Sequence, residues 1–94
     1  MPLLVKLIGG CEFLFAGKSQ IEVPHIVCHD LLSLCLYLSD NFLSVEKDEF
    51  LEDGELIEGF IVLINDTDIE LFDGMSTELS DGDSITFIST MHGG

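Results

Sequence analysis

The residues with the clearest chemical potential stand at the end of the chain. In Ser84-Ile85-Thr86-Phe87-Ile88-Ser89-Thr90-Met91-His92-Gly93-Gly94, Ile85 and Phe87 alternate with Ser84, Thr86 and Ser89. β-Branched and aromatic side chains dominate, so the stretch opens as a strand. It then runs, without a linker, into two residues that carry no side chain. Glycines at a chain end are usually without consequence. Here a strong strand leads directly into them and the chain stops at the second. The expected chemistry is that of a carboxylate, borne on Gly94 and held away from a folded body.

Other constellations invite weaker readings. His25, Cys28 and His29 fall at i, i+3 and i+4, with Cys35 two turns beyond, which is ligand-like at the start of a helix. Cys28 and Cys35 also face the apolar stripe of that helix, so packing is the expectation and no metal site is assigned. His92 stands close enough to the terminal carboxylate to act as a base. Asp66 with Asp68, and Asp81 with Asp83, look like paired carboxylates, but turn formation accounts for them. No catalytic residue is assigned.

These groups need a body to position them. Ninety-four residues, 47% of them hydrophobic, make one domain (1–94) with a single core and a flexible tail over about 91–94. Eighteen acids face three lysines (Lys6, Lys18, Lys47), for a net charge of −15. Such a surface does not neutralise phosphates, so no direct contact with nucleic acid or an anionic membrane is expected. A protein with a basic face is the expected partner. Cys11, Cys28 and Cys35 are odd in number and scattered, which argues for a reducing compartment, with the cytoplasm as the default. The apolar start, Met1 to Ile8, is too short for a signal sequence, and Lys6 interrupts it.

In order, Leu3 to Ile8 reads as a central strand and Gly9-Gly10 as a hairpin turn. Cys11 to Phe15 reads as the returning strand, with Cys11, Phe13 and Phe15 on one face. Ile21 to Val23 extends or resumes it, and Pro24 prepares a helix entry. From Val27 to about Leu43 the period is helical, with Val27, Leu31, Leu34, Cys35, Leu38 and Phe42 on one stripe. Leu32, Leu36 and Leu43 widen that stripe, which suits packing on a sheet. Glu46 to Glu58 reads as an acidic loop holding at most a short turn. Phe60 to Ile64 is a strand, Asn65 to Asp68 a turn, and Ile69 to Phe72 a short partner strand. Met75 to Gly82 is irregular, with Leu79 a plug into the core. The order β-β-α-β-β-β, with first and last strands paired in parallel, predicts an α+β fold: a β-grasp roll with a mixed sheet and one main helix on one face.

A β-grasp domain ending in Gly-Gly resembles the ubiquitin-like and sulfur-carrier families. Gly59 to Asp66, Glu70-Leu71, Asp83-Ser84 and Phe87 to Gly94 are similar to the ubiquitin-related modifier family, which typically ends Phe-Ile-Ser-Thr-Leu-His-Gly-Gly. Gly9 to Phe15 resembles its glycine-rich first hairpin, and Leu31-Leu32 with Tyr37 to Leu43 its helix. Residues 59–94 match closely, 1–45 more loosely, and the acidic loop least. Tyr37 stands where the family often has Trp, and Ile57-Glu58 where Arg-Pro is common.

The resemblance implies a protein cosubstrate, not an enzyme. It binds no cofactor itself; an E1-like activating and sulfurtransferase enzyme uses ATP to adenylate Gly94. A persulfide then converts the acyl group to a thiocarboxylate. That group would donate sulfur to a tRNA thiolase complex for 2-thiolation of the wobble uridine, and support attachment to lysines of target proteins. Thr90, Met91, His92 and Gly93 would be recognised, extended, in the enzyme's channel. Ile88 should point away from the core if Ile85 and Phe87 point in, which makes it a candidate docking patch. Two alternatives remain: a small subunit of a sulfur-transfer enzyme like molybdopterin synthase, and an acidic interaction domain with an inert tail.

Overall fold

The computed structural model describes residues 1–90, the Val27 side chain excepted. Strand β1 (Leu3–Ile8) turns Leu3, Val5 and Leu7 inward, each fully buried. It pairs antiparallel with β2 (Gln20–Val23) and parallel with β7 (Ser84–Ser89). Strand β5 (Phe60–Ile64) flanks β7 on its other side, antiparallel, and the two-residue β6 (Thr67–Asp68) closes the order β2-β1-β7-β5-β6. The parallel pairing of first and last strands is as expected. It needs a crossover, and the helix lies within it.

Helix α1 (Leu31–Asn41) packs Leu31, Leu34, Cys35 and Leu38 against the inner face, the i, i+3, i+4, i+7 set. The helix is shorter than Val27 to Leu43. Asp30 is extended and caps it, accepting a 2.8 Å hydrogen bond from the Ser33 N–H. His25–Val27 forms a separate 3-10 turn. Leu36, expected to widen the buried stripe, is exposed.

The first hairpin also differs from expectation. Cys11–Phe15 is a 3-10 turn, not a strand, and the strand begins at Gln20. Gly9 and Gly10 both hold left-handed φ (69° and 101°), which turns the chain out of the sheet. Cys11, Leu14 and Phe15 are then buried at helical spacing, while Phe13 is exposed. A five-residue run of this kind fits a period of two or of three to four equally well.

The acidic loop is more ordered than its composition suggests. Glu46 and Glu49 form a reciprocal capping box on a 3-10 turn at Lys47–Glu49. A small hairpin follows, β3 (Leu51–Glu52) with β4 (Glu55–Leu56). Between these, Phe50 is fully buried. Its ring meets Phe15 edge-on at 5.2 Å and Phe60 at 5.7 Å, and lies 5.9 Å from Phe87.

Past β5, Asn65 and Asp66 both take positive φ (51° and 69°), the signature of a two-residue primed turn. The partner strand is therefore Thr67–Asp68, and Ile69–Leu71 is a 3-10 turn rather than the strand expected over Ile69 to Phe72. The Asp68 carboxylate accepts from the Glu70 N–H at 2.9 Å, a local bond that draws the backbone away from the ladder. Leu79 is buried, as the plug expected of it.

Candidate functional site: the root of the tail

Strand β7 is built from both sides before it reaches the surface. Ile85 and Phe87 are fully buried, and Ser89 on the same face is 2% exposed. Ile88, on the opposite face, is half-buried. Its partners across the two ladders are Ile8 on β1 and Ile61 on β5. These are 45% and 40% exposed, so three isoleucines form one apolar row across the outer face. The row lies at the end of the sheet where the chain departs. The sequence reading found Ile88 and missed Ile8 and Ile61. Both belong to runs apolar on both faces, so only the register shows which members point outward.

Two glycines shape this end. A Cβ on Gly9 would lie 2.8 Å from the Ser89 carbonyl oxygen and 3.2 Å from Ile88 Cγ2, so β1 passes β7 here at a distance that excludes a side chain. Gly59 accepts two hydrogen bonds from Thr90, one from its N–H at 2.7 Å and one from its hydroxyl at 3.0 Å. Thr90 is thus tied down at the mouth of the sheet. Met91, His92, Gly93 and Gly94 lie outside the described residues.

The remaining candidates are dispersed. The His25 ring nitrogen Nε2 lies 2.7 Å from the Leu79 carbonyl oxygen, while His29 is exposed. Cys28 and Cys35 are fully buried. Among the described residues no group of three potential ligands converges. The acidic pairs work locally. Asp83 accepts from the Ser80 N–H at 2.8 Å and from Asn65 Nδ2 at 2.9 Å, and Asp81 meets the N-terminal ammonium at 2.6 Å.

All three thiols are removed from chemistry. Burial, with Glu12 beside it, pushes the Cys11 thiol up to about 12. Burial raises Cys28 and Cys35 as well, with Asp30 adding to both and Cys28 to Cys35. A thiol so raised has almost no nucleophilic thiolate at neutral pH.

A mixed five-stranded sheet with parallel outer-sequence strands, one helix on its inner face and a last strand that delivers the chain end defines a β-grasp domain of the ubiquitin-like kind. A family model described as Urm1 (Ubiquitin related modifier) matches residues 2–94. The chain is 42% identical to the ubiquitin-related modifier 1 homolog of Dictyostelium discoideum, covering 100% of each. It is 40% identical to ubiquitin-related modifier 1 of Mus musculus, covering 99% of this chain and 97% of the other. The solution structure of Urm1 from Trypanosoma brucei superposes with a TM-score of 0.81 at 36% identity, covering 99% and 95%. The chain belongs to the ubiquitin-related modifier family.

Proposed function

We propose that this protein is a sulfur carrier and ubiquitin-like modifier, a cosubstrate acted on by an E1-like activating enzyme that uses ATP. The observation that carries the reading is the course of β7. A core strand runs to the surface and is anchored at Thr90, leaving four residues before the terminal carboxylate. Four residues span at most about 14 Å, enough to reach a partner's active site but not to wander far from the domain that partner grips. Gly93 and Gly94 keep the last part narrow.

The chemistry follows from the group offered. A carboxylate is a poor electrophile, and joining it to AMP gives an anhydride with a good leaving group. The outer sulfur of a persulfide on the activating enzyme attacks the Gly94 acyl carbon and displaces AMP, giving an acyl disulfide. A second thiol of that enzyme then attacks the cysteine sulfur, is oxidised with it to a disulfide, and releases the thiocarboxylate. That group donates sulfur through a tRNA thiolase complex to the wobble uridine, and supports attachment to lysines of target proteins. The buried thiols of this chain support the assignment of sulfur chemistry to the tail. The net charge of −15 suits a protein partner and not a phosphate backbone or an anionic membrane. Thr90, Met91, His92 and Gly93 are the segment read by the activating enzyme, and Ile88 with Ile8 and Ile61 is where that enzyme docks. The setting is the cytoplasm.

The test combines the chain with a cognate activating enzyme, ATP and a sulfur source. Deleting Gly94 abolishes sulfur transfer with the thermal midpoint unmoved. Ile88→Asp leaves the fold intact and raises the KM for activation roughly tenfold or more, as expected of a contact near the centre of an interface. Undiminished transfer by the Gly94-deleted chain contradicts the reading.

A further inference from the structure

One edge of the sheet is left open in a way that ordinary packing does not require. Strand β5 is paired along its whole length with β7, but with β6 only at Leu63 and Ile64. The β6 side of Phe60 to Val62 has no strand beside it. The direction of the backbone groups follows from the ladder. Thr90 donates to Gly59 and Asn65 donates to Ser84, so the odd-numbered residues of this segment turn their amides toward β7. The Phe60 N–H and C=O and the Val62 N–H therefore face outward. Among the described residues none of the three has a hydrogen-bond partner across that edge.

The open edge forms the floor of a cleft of about 430 Å³. One wall is the segment 55–58 and the other runs from Asp68 to Met75. Its surface is amphipathic. Leu56, Ile69 and Met75 supply apolar contact, and Glu55, Glu58, Asp68 and Glu70 stand along the rim. No residue that lines it is basic. Proteins ordinarily blunt an edge of this kind with lysine, proline or a covering loop. Here the edge lies bare beneath four carboxylates.

We infer that the β5 edge at Phe60–Val62 is a strand-addition site for an extended, basic segment of a partner protein, with lysine or arginine alternating with β-branched residues. Main-chain bonds to Phe60 and Val62 supply register, and alternate side chains meet the acidic rim. The charge also rejects a second copy of this chain, since edge-to-edge pairing would bring two acidic rims together on molecules each carrying −15. The other edge, β2, offers one acid, Glu22, with Lys18 two residues before the strand, and so lacks the same complementarity. An added strand would lie two strand spacings, about 10 Å, from β7. It would therefore fix the tail's root relative to the partner. The inference concerns binding alone and stands whether or not the tail carries sulfur.

The probe is a blocked Lys-Val-Lys-Val-Lys-Val peptide, titrated into the full chain and followed by NMR amide shifts and hydrogen exchange. The Phe60 and Val62 amides should shift and exchange roughly tenfold more slowly. Methylating alternate backbone nitrogens of the peptide, so that it can no longer pair with an edge, should weaken binding about tenfold, the equivalent of one or two hydrogen bonds. Glu58→Lys combined with Glu70→Lys should weaken it further, while Glu22→Lys should leave it unchanged. Equal affinity for the methylated peptide, a response centred on Ile21 and Val23, or no binding at millimolar peptide overturns the proposal.

Discussion

Asp30 stabilises the helix by turning out of it. Its carboxylate caps the Ser33 N–H, and hydrogen bonding from the Ser33 hydroxyl and N–H holds its pKa below the ordinary 3.8, with His29 adding a little. A lowered folded-state pKa means the electrostatic contribution is present above the unfolded value and lost as pH falls through the folded one. Asp30→Ala should therefore cost about 1 kcal/mol near neutral pH, measured by urea denaturation, with the penalty shrinking below pH 3.8. A penalty that is unchanged in acid contradicts the capping role. The thiols give a second prediction at this scale. Cys11, Cys28 and Cys35 are fully buried with raised pKa, so an alkylating reagent at neutral pH should label none of them in the native protein and all three in denaturant. The cysteine spacing alone carried no sign of this. It showed only that the set was odd and unpatterned.

Phe50 governs how the elements close on one another. It comes from the acidic loop, yet its ring meets the Cys11–Phe15 turn through Phe15 and two of the inner strands, β5 and β7, through Phe60 and Phe87. Phe50→Ala should cost about 3–5 kcal/mol, read as a fall in the denaturation midpoint, whereas Phe13→Ala, at an exposed position, should cost almost nothing. Equal effects would mean that the aromatic cluster is not the keystone of this half of the core. Elements with sustained periodicity were legible from the sequence: β1, β5, β7 and the stripe Leu31, Leu34, Cys35, Leu38. Elements set by a few backbone angles were not. Gly9 and Gly10 in left-handed φ redirect the chain into a turn that five residues of pattern cannot distinguish from a strand. The Asp68 side chain likewise ends β6 after two residues, where composition favoured a longer partner. Phe50 and Leu51, large apolar residues set among acids, were the available signal for the ordered loop.

The whole molecule is an acidic body of net charge −15 built around the central strand β7. Ion pairing does little to offset the charge. Among the described residues the pairs are the N-terminal ammonium with Asp81 and His29 with Asp30. The net negative charge repels other acidic surfaces, a phosphate backbone and a second copy of the chain included. The path of β7, the family's characteristic ending and the charge were all readable in the sequence. The isoleucine row at the tail's root was legible only in part, because it arises from three strands brought into register. The most direct measurement of the central claim is the intact mass of the protein after incubation with an activating enzyme, ATP and a sulfur source. The account predicts a gain equal to sulfur minus oxygen, localised to the C-terminal peptide. An unchanged mass, or sulfur found on a cysteine instead, would contradict it.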